Sequence, residues 1–223
     1  MDNRSTGIEN VLFDLDGTLS DNSEGIIEGL NRAMKSLGQP PLDEEAVHRV
    51  IGPPLHDVMV EQLGVPEELV EEAIVAYRSY YSTEGLHRNR LYPGIIDVLD
   101  ALRSEGLRLA VATSKPEVFA VPILERFGIA DRFEAIGAAS LDNSRREKSQ
   151  VIRHVSRSTG FDPVRTVMVG DRSHDIDGAR LAGLGCSIGV LWGFGDREEL
   201  ERAGAARLAA SPAELARLLL VSI

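Results

Sequence analysis

Short apolar runs alternate with amphipathic segments over most of the chain, beginning with VLFDLD at residues 11–16. Four later runs have the same character: LRLAVATS (107–114), FEAIGA (133–138), TVMVGD (166–171) and CSIGVLW (186–192). Each run is short, bounded by polar or glycine residues and rich in aliphatic side chains. This pattern predicts five buried strands of the kind found in parallel sheets.

The segments between these runs show the spacing of amphipathic helices, at residues 95–105, 116–127, 147–159 and 174–182. Pro116 and Pro212 fit the first turns of helices, and Gly128 and Gly160 fit the ends of others. Strand and helix in alternation favour right-handed crossovers and a parallel sheet covered on both faces. The sequence therefore predicts an α/β fold with a doubly wound, Rossmann-like parallel sheet.

One part of the chain, after the first strand, breaks this alternation. It shows only helical patterns, in GIIEGLNRAMKSLG, EEAVHRVIG, LHDVMVEQLG and EELVEEAIVAYRSYYS. A block of this length is too long for a simple loop in a compact domain. We predict an inserted all-helical module at residues 21–88, and an α/β core formed by residues 1–20 and 89–223.

Composition and charge restrict the kinds of molecule that the protein is expected to bind. The 223 residues are 43% hydrophobic and 26% charged, with a formal net charge of −11. A net-acidic chain without a long basic run is a poor partner for nucleic acid or an anionic membrane surface. The first residues, MDNRSTGIEN, lack an apolar signal core, and no apolar run approaches the ~18 residues that span a bilayer. We therefore expect a cytoplasmic protein that binds neither nucleic acid nor membrane.

The single cysteine, Cys186, lies in an apolar run. One cysteine cannot form an internal disulfide, and it excludes a structural zinc site built on several cysteines. We expect Cys186 to be a buried small hydrophobic residue rather than a reactive thiol.

Polar side chains follow several of the predicted strands. In parallel α/β sheets ligands bind at the carboxyl ends of the strands, so these side chains are expected to meet at one edge. They are Asp14, Asp16, Thr113, Ser114, Lys115, Lys148, Asp171 and Asp175. Acids, hydroxyls and an ammonium group at one place suit a site where a divalent metal offsets the acids and a phosphate lies between them.

Asp14 and Asp16 are two positions apart, so on a regular strand they would share one face. Their repulsion requires either a cation or a chain that leaves the strand there, and Gly17 allows such a bend. A site dominated by carboxylate oxygens favours Mg²⁺ over zinc.

The motifs DLDGTL, ATSKP, a helix starting at Lys148, and GDRSHD occur in this order. Together they resemble the four motifs of the haloacid dehalogenase superfamily of phosphohydrolases. The position of the helical insert resembles the small cap of the phosphoglycolate phosphatase-like branch. The resemblance implies Mg²⁺-dependent hydrolysis of a small phosphorylated metabolite, and it leaves monomer and homodimer open.

The resemblance also implies individual roles. Asp14 would be the nucleophile that forms an aspartyl-phosphate and would bind Mg²⁺. Asp16 would act as general acid and base, and its backbone carbonyl would bind the metal. Thr113 would hold a phosphoryl oxygen, and Lys148 would offset the charge of the transferring phosphoryl group. Asp171 would be a further metal ligand.

Other roles are less specific. Asp175 would bond metal-bound water or bind the metal itself. We expect Ser114 and Gly17 to contact the phosphoryl group, although Ser114 also suits a helix cap. In related phosphatases the loop at IGPPL (51–55) faces the active site. Arg49, just before it, would then meet a second anionic group, or else be a solvated helix residue.

Three further features of the sequence favour structural roles over catalysis or ligand binding. His174 lies between Asp171 and Asp175, and its position favours a role in shaping or lining the loop that carries them over a role as a general base. The cluster of Tyr77, Arg78, Tyr80 and Tyr81 suits cap packing or a hinge better than a ligand site. Asp21, where the chain enters the cap, suits helix capping or a polar hinge better than catalysis.

The sequence favours a phosphoglycolate phosphatase-like enzyme and leaves several alternatives. Within the superfamily these are a 5′-nucleotidase acting on nucleoside monophosphates, a phosphosugar mutase and, less in keeping with the acids and Lys148, a dehalogenase. From another class, a non-catalytic binding module would keep the fold without the reaction.

Overall fold

A computed structural model describes residues 7–42, 49–141 and 144–221 of the chain. Its centre is a six-stranded sheet in the order β5-β4-β1-β6-β7-β8, and every neighbouring pair is parallel. The strands are β1 (Asn10–Phe13), β4 (Arg108–Pro116), β5 (Ala135–Ala139), β6 (Thr166–Gly170), β7 (Cys186–Val190) and β8 (Arg207–Ala209). The predicted doubly wound α/β fold is confirmed.

The helices lie between these strands and in the insert. They are α1 (Ser23–Ser36), α2 (Leu55–Asp57), α3 (Glu67–Tyr81), α4 (Ile95–Ser104), α5 (Glu117–Arg126), α6 (Lys148–Thr159), α7 (Ser173–Ala182), α8 (Arg197–Ala203) and α9 (Pro212–Leu220). A π-helical turn, Val58–Gln62, directly follows α2. The predicted helix in EEAVHRVIG falls largely on residues 43–48, which lie outside the described residues.

Both faces of the sheet are buried, which explains why the strand sequences are apolar at nearly every position. Along β1, Val11 and Phe13 face a cluster that includes α4, α5 and α9. Leu12, which points the other way, packs with residues of α6 and α7. This alternation follows from the two-residue period of a strand, and it fixes β1 in the middle of the fold.

The helical insert has a hydrophobic core of its own, formed mainly by α1, α3 and the segment after α2. The chain enters and leaves the insert through a two-stranded antiparallel sheet of β2 (Ser20–Asp21) and β3 (Arg90–Leu91). Asp21 accepts hydrogen bonds from the Ser23 backbone N–H and hydroxyl at 3.1 and 2.6 Å, and it pairs with Arg90 at 2.9 Å. Asp21 therefore has the structural role that its position in the sequence suggested.

Two strand ends differ from the predicted runs. β1 ends at Phe13, so that Asp14 already lies beyond it. β4 continues to Pro116, with a shift of register between Thr113 and Pro116. Such an irregularity changes the direction of the side chains around it, and here it affects Ser114 and Lys115. None of the helices in the described part of the chain is long and apolar enough to cross a membrane.

Candidate active site

The carboxyl ends of β1 and β4 open onto a cavity of about 210 Å³ that lies between the sheet and the helical insert. Four of the predicted site residues line it: Asp14, Asp16, Thr113 and Ser114. Asp14 and Thr113 are buried, whereas Asp16 and Ser114 are partly accessible. The structure thus brings residues that are about 100 positions apart in sequence into one site.

The loop after β1 separates the two aspartates. The Leu15 carbonyl accepts the backbone N–H groups of Leu19 and Ser20, each at 3.0 Å, and Gly17 has a φ of +81°. The chain therefore turns tightly as soon as the strand ends, and Leu15 packs into the core between the two acids. Asp14 and Asp16 consequently do not lie side by side on a regular strand.

Gly17 also makes room for Asp171, which follows β6. A Cβ atom at position 17 would overlap the Asp171 carboxylate, and the positive φ disfavours any side chain there. Asp171 accepts hydrogen bonds from the Thr18 hydroxyl at 3.2 Å and from the Phe194 backbone N–H at 2.8 Å. Gly17 does not line the cavity; its role here is to let the β1 loop approach Asp171.

We predict that Gly17→Ala will displace the Asp171 carboxylate and lower the efficiency of the hydrolysis that the resemblance implies by roughly 10- to 100-fold, because it misplaces a group expected to hold the metal beside the reacting atoms. The free energy of unfolding should fall by about 1–3 kcal/mol, the cost of a strained backbone position. Phosphate release and urea denaturation measure the two effects. Gly38→Ala is a matched control, since Gly38 also has a positive φ but a Cβ there meets no atom within 4 Å. Equal losses of activity in both variants would contradict the role given to Gly17.

Lys148 is buried beneath the acids at the start of α6. Its Nζ lies 2.9 Å from Asp14 Oδ1 and 2.8 Å from Asp175 Oδ1, and it donates to the Ala112 carbonyl at 3.1 Å. A Cβ atom at Gly178 would overlap the side chain of this lysine. Because glycine has no Cβ atom, α6 and α7 can pack closely around Lys148. Lys148 thus holds the two carboxylates together, in agreement with the position predicted for it.

A second ammonium group, Lys115, was given no role by the sequence reasoning. Its Nζ lies 2.6 Å from Asp16 Oδ2 and 4.9 Å from the centre of the Tyr81 ring, which belongs to the insert. Lys115 is buried, and the irregular end of β4 directs it toward the cavity. The signal available in the sequence was its place next to Thr113 and Ser114.

The pKa values of the acids reflect burial and neighbouring charges. Burial raises the pKa of Asp14 to about 6, although Lys148 opposes the shift. Burial, together with Asp175 and Asp14, also raises the pKa of Asp171. Asp175 is buried as well, but Lys148 and His174 outweigh that effect and lower its pKa. Burial therefore makes the charged forms of Asp14 and Asp171 less favourable than that of an exposed aspartate.

The charge balance of the site suits a divalent cation. Asp14, Asp16, Asp171 and Asp175 face two ammonium groups, Lys115 and Lys148, which leaves two negative charges. In addition, Asp16 Oδ1 is buried without a hydrogen-bond partner among the described residues. Asp14, Asp175 and His174 each offer a ligand atom within 4.8 Å of the others. The residues present thus fit Mg²⁺, which prefers carboxylate oxygens.

His174 lies against the insert. Burial lowers its pKa to about 4, so the imidazole is neutral near pH 7. A Cβ at Gly52, in the IGPPL loop, would overlap its ring, and Gly52 has a φ of +112°. The contact shows that His174 packs against this loop of the insert, a contact that the sequence did not predict.

The IGPPL loop reaches the cavity, whereas Arg49 does not line it. Gly52, Pro53 and Pro54 are among the lining residues, and the neighbouring Arg172 side chain of the core donates to the Ile51 carbonyl. Arg49 is exposed at the surface. Its suggested contact with a second anionic group therefore has no support in this arrangement.

Comparisons with known proteins agree with this geometry. The model of the haloacid dehalogenase-like hydrolase family matches residues 11–188. A crystal structure of a predicted phosphatase from Clostridium acetobutylicum superposes with a TM-score of 0.92 at 39% identity, covering 96% of this chain and 99% of that one.

Three curated relatives differ in what they are named for. Tyrosine-protein kinase PtkA of Mycobacterium tuberculosis is 44% identical over 86% of this chain, which spans 65% of the length of PtkA. The 5′-nucleotidase of Pseudomonas aeruginosa is 42% identical, over 86% of each protein. The phosphoglycolate phosphatase of Agrobacterium fabrum is 34% identical, over 83% of this chain and 82% of that protein. The chain belongs to the haloacid dehalogenase-like hydrolase family and is related to its phosphoglycolate phosphatases, to a 5′-nucleotidase and to PtkA.

Proposed function

We propose that the protein is a Mg²⁺-dependent phosphatase that hydrolyses a small phosphorylated metabolite through an aspartyl-phosphate intermediate. The observation that carries the proposal is the buried Asp14 carboxylate at the cavity, 2.9 Å from the Lys148 ammonium, with Asp16 separately paired to Lys115. Two carboxylates with different partners can take different roles in one reaction.

In the first step Asp14 attacks phosphorus, forming a bond between phosphorus and its carboxylate oxygen while the bond to the substrate alcohol breaks. Asp16, which carries a proton when this step begins, gives it to the departing alcohol oxygen. Lys148 offsets negative charge beside the transferring group. Thr113, whose Oγ1 accepts the Lys115 backbone N–H at 3.1 Å, keeps its hydroxyl proton available for a phosphoryl oxygen.

In the second step the deprotonated Asp16 takes a proton from water, and that water oxygen attacks phosphorus. The bond between phosphorus and Asp14 breaks, which releases phosphate, restores the Asp14 carboxylate and leaves Asp16 protonated for the next cycle. Closure of the insert over the cavity would exclude other water during the first step.

Asp14, Asp171 and the Asp16 backbone carbonyl would hold Mg²⁺, with Asp175 beside them. The ion, when bound, would supply charge stabilisation for the phosphoryl oxygens. Asp175 already accepts the Arg172 backbone N–H at 3.1 Å and pairs with Lys148, so it is oriented before any metal binds. Ser114, partly accessible in the cavity, would contact a phosphoryl oxygen.

Two substrates are candidates. A phosphoglycolate-like substrate is our first proposal and agrees with the phosphoglycolate phosphatase relatives. A nucleoside monophosphate is the second, and the 42% identity to a 5′-nucleotidase favours it. The cavity also has an apolar wall, with Ile26, Leu30, Val50 and Phe119, against which a nucleobase would pack.

A first experiment tests the reaction class. We expect phosphate release from p-nitrophenyl phosphate in the presence of Mg²⁺, and a loss of at least about 100-fold after EDTA treatment, because a bound metal contributes several kcal/mol of charge stabilisation. Added Mg²⁺ should restore the rate. Full activity in EDTA would refute the metal dependence.

A second experiment tests the substrate. Initial rates with phosphoglycolate, nucleoside monophosphates and sugar phosphates at equal concentration would rank the candidates. Isomerisation of a hexose 1-phosphate without phosphate release, in the presence of a bisphosphate primer, would instead identify a phosphosugar mutase. A flat and slow profile would remove support for the phosphoglycolate proposal.

A further inference from the structure

The Arg78 guanidinium lines the cavity but has no partner among the residues that the structure describes. Arg78 lies on α3 and is half-buried. Its Nε atom is buried without a hydrogen-bond partner, and its side chain makes no hydrogen bond or ion pair across the ranges that the structure describes. Arg146, the other arginine lining the cavity, is paired with Asp57. Arg78 is therefore an unneutralised cation at the edge of the site.

An unpartnered guanidinium in such a place is costly unless a ligand satisfies it. A buried donor without an acceptor loses its hydration without compensation. The guanidinium group remains charged and presents several N–H donors in one plane, which match the two oxygens of a carboxylate or a phosphate. Its chemistry therefore points to an anion as the missing partner.

The position of Arg78 relates it to the acids. Tyr81, three residues further along α3, contacts the Lys115 ammonium that holds Asp16. Residues three apart lie on the same side of a helix, about 4.5 Å apart along its axis. Arg78 thus lies on the cavity side of α3, as Tyr81 does, roughly one turn away from the contact with Lys115.

Glu71 limits how far along α3 an anionic group of the ligand can lie. It also lines the cavity, seven residues before Arg78 and about 10 Å from it along the helix axis. Because it is exposed and negatively charged, it disfavours an anionic group at that end of α3. A second anion is therefore favoured near Arg78 and disfavoured further out.

We infer that Arg78 binds a second anionic group of the substrate, a carboxylate or a second phosphate, separated by a short linker from the phosphate that is hydrolysed. This inference rests on the proposed phosphatase function and adds a specificity residue to it. It selects short phosphomonoesters with two anionic groups over esters with a neutral remainder, including nucleoside monophosphates.

The test compares esters that differ in the second group. For the wild type and Arg78→Met, kcat and KM would be measured with phosphoglycolate, ethylene glycol bisphosphate, ethylene glycol monophosphate and p-nitrophenyl phosphate. We expect Arg78→Met to lower kcat/KM by roughly 10- to 150-fold for an anionic ester, the value of a charged hydrogen bond. The loss should appear mainly in KM, and the two neutral-tailed esters should change less than about threefold. A loss confined to phosphoglycolate identifies a carboxylate, and a loss confined to the bisphosphate identifies a phosphate.

Two further variants keep the test decisive. Arg78→Lys retains one positive charge without the planar fork, so an intermediate loss is expected for the anionic esters only. Arg180→Met is a matched control, because Arg180 is an exposed helical arginine paired with Asp177 at the surface. Melting temperatures of all variants would show whether the fold is kept.

The possible outcomes distinguish a failure of the role inferred for Arg78 from a failure of the proposed phosphatase function. Equal losses for all esters would give Arg78 a merely structural role and overturn the inference, as would unchanged kinetics for both anionic esters. A wild-type protein that releases phosphate from none of the esters would overturn the proposed phosphatase function, and this inference with it. Activity of the wild type on the neutral esters, with no effect at Arg78, would leave the phosphatase function standing and overturn the inference alone.

Discussion

Replacing Asp14 by Asn is expected to lower the rate of phosphate release by at least about 10⁴-fold, as for other nucleophiles that act within a catalytic unit. The amide has nearly the same shape but cannot attack phosphorus as a carboxylate does. It also weakens the contact with Lys148, which is 2.9 Å from Asp14 in the native site. The fold should persist, since one charge is removed from a cluster in which burial already raises the pKa of Asp14 to about 6.

Single-turnover rates with p-nitrophenyl phosphate and mass spectrometry of acid-quenched protein would measure this effect. A phosphorylated species should form transiently in the wild type and be absent from Asp14→Asn. Asp177→Asn is the matched control, because Asp177 is an exposed aspartate on α7 that pairs only with Arg180 among the described residues. If Asp14→Asn kept more than about a tenth of the rate, another residue would have to be the nucleophile.

Replacing Lys148 by Met should damage both activity and stability. Without the ammonium group, Asp14 and Asp175 are left as buried, mutually repelling carboxylates, and breaking a buried ion pair in this way typically costs about 3–5 kcal/mol. Loss of a charge-stabilising group at the reacting centre should lower kcat by at least about 100-fold. Mg²⁺ should recover part of the stability but little of the rate, because the metal and Lys148 act at different atoms.

Urea denaturation in EDTA and in excess Mg²⁺ would measure the free energy of unfolding of this variant. The chain has three lysines, and Lys35, exposed on α1, provides the control substitution Lys35→Met. A Lys148→Met protein as stable as the control in EDTA would show that the carboxylates are held by other groups.

Much of the fold follows from local pattern. Strands buried on both faces appear as short aliphatic runs, so VLFDLD and TVMVGD could be located without further information. Their parallel arrangement follows from the helices between them. The strand β8 could not be found in this way, because it has only three residues, Arg207–Ala209, and depends on pairing with β7.

The site could be predicted only where the chemistry is local. Asp14, Asp16 and Asp171 follow strand ends, and sequence order alone places them at one edge of the sheet. The sequence gives Lys115 no role and favours cap packing or a hinge for Arg78, because the importance of both residues depends on what lies opposite them. Lys115 is defined by a contact with Asp16, 99 residues away, and Arg78 by the absence of a partner among the described residues. The exposed position of Arg49 likewise depends on the orientation of its segment in the folded insert.

The short antiparallel pair of β2 and β3 has a consequence for how this enzyme could be altered. Ser20 pairs with Leu91 and Asp21 with Arg90, so the chain departs from the core and returns to it at neighbouring points. A segment whose two ends are already adjacent adds little loop-closure entropy to the folding of the remainder, whatever its length. On the proposed function, the part of the cavity wall that the insert supplies and the residues that carry the reaction are therefore encoded in separable stretches of one gene. We expect that replacing the insert by that of a relative, joined at these two strands, would change which ester is accepted. The strand order of the sheet that carries the proposed nucleophile would stay the same.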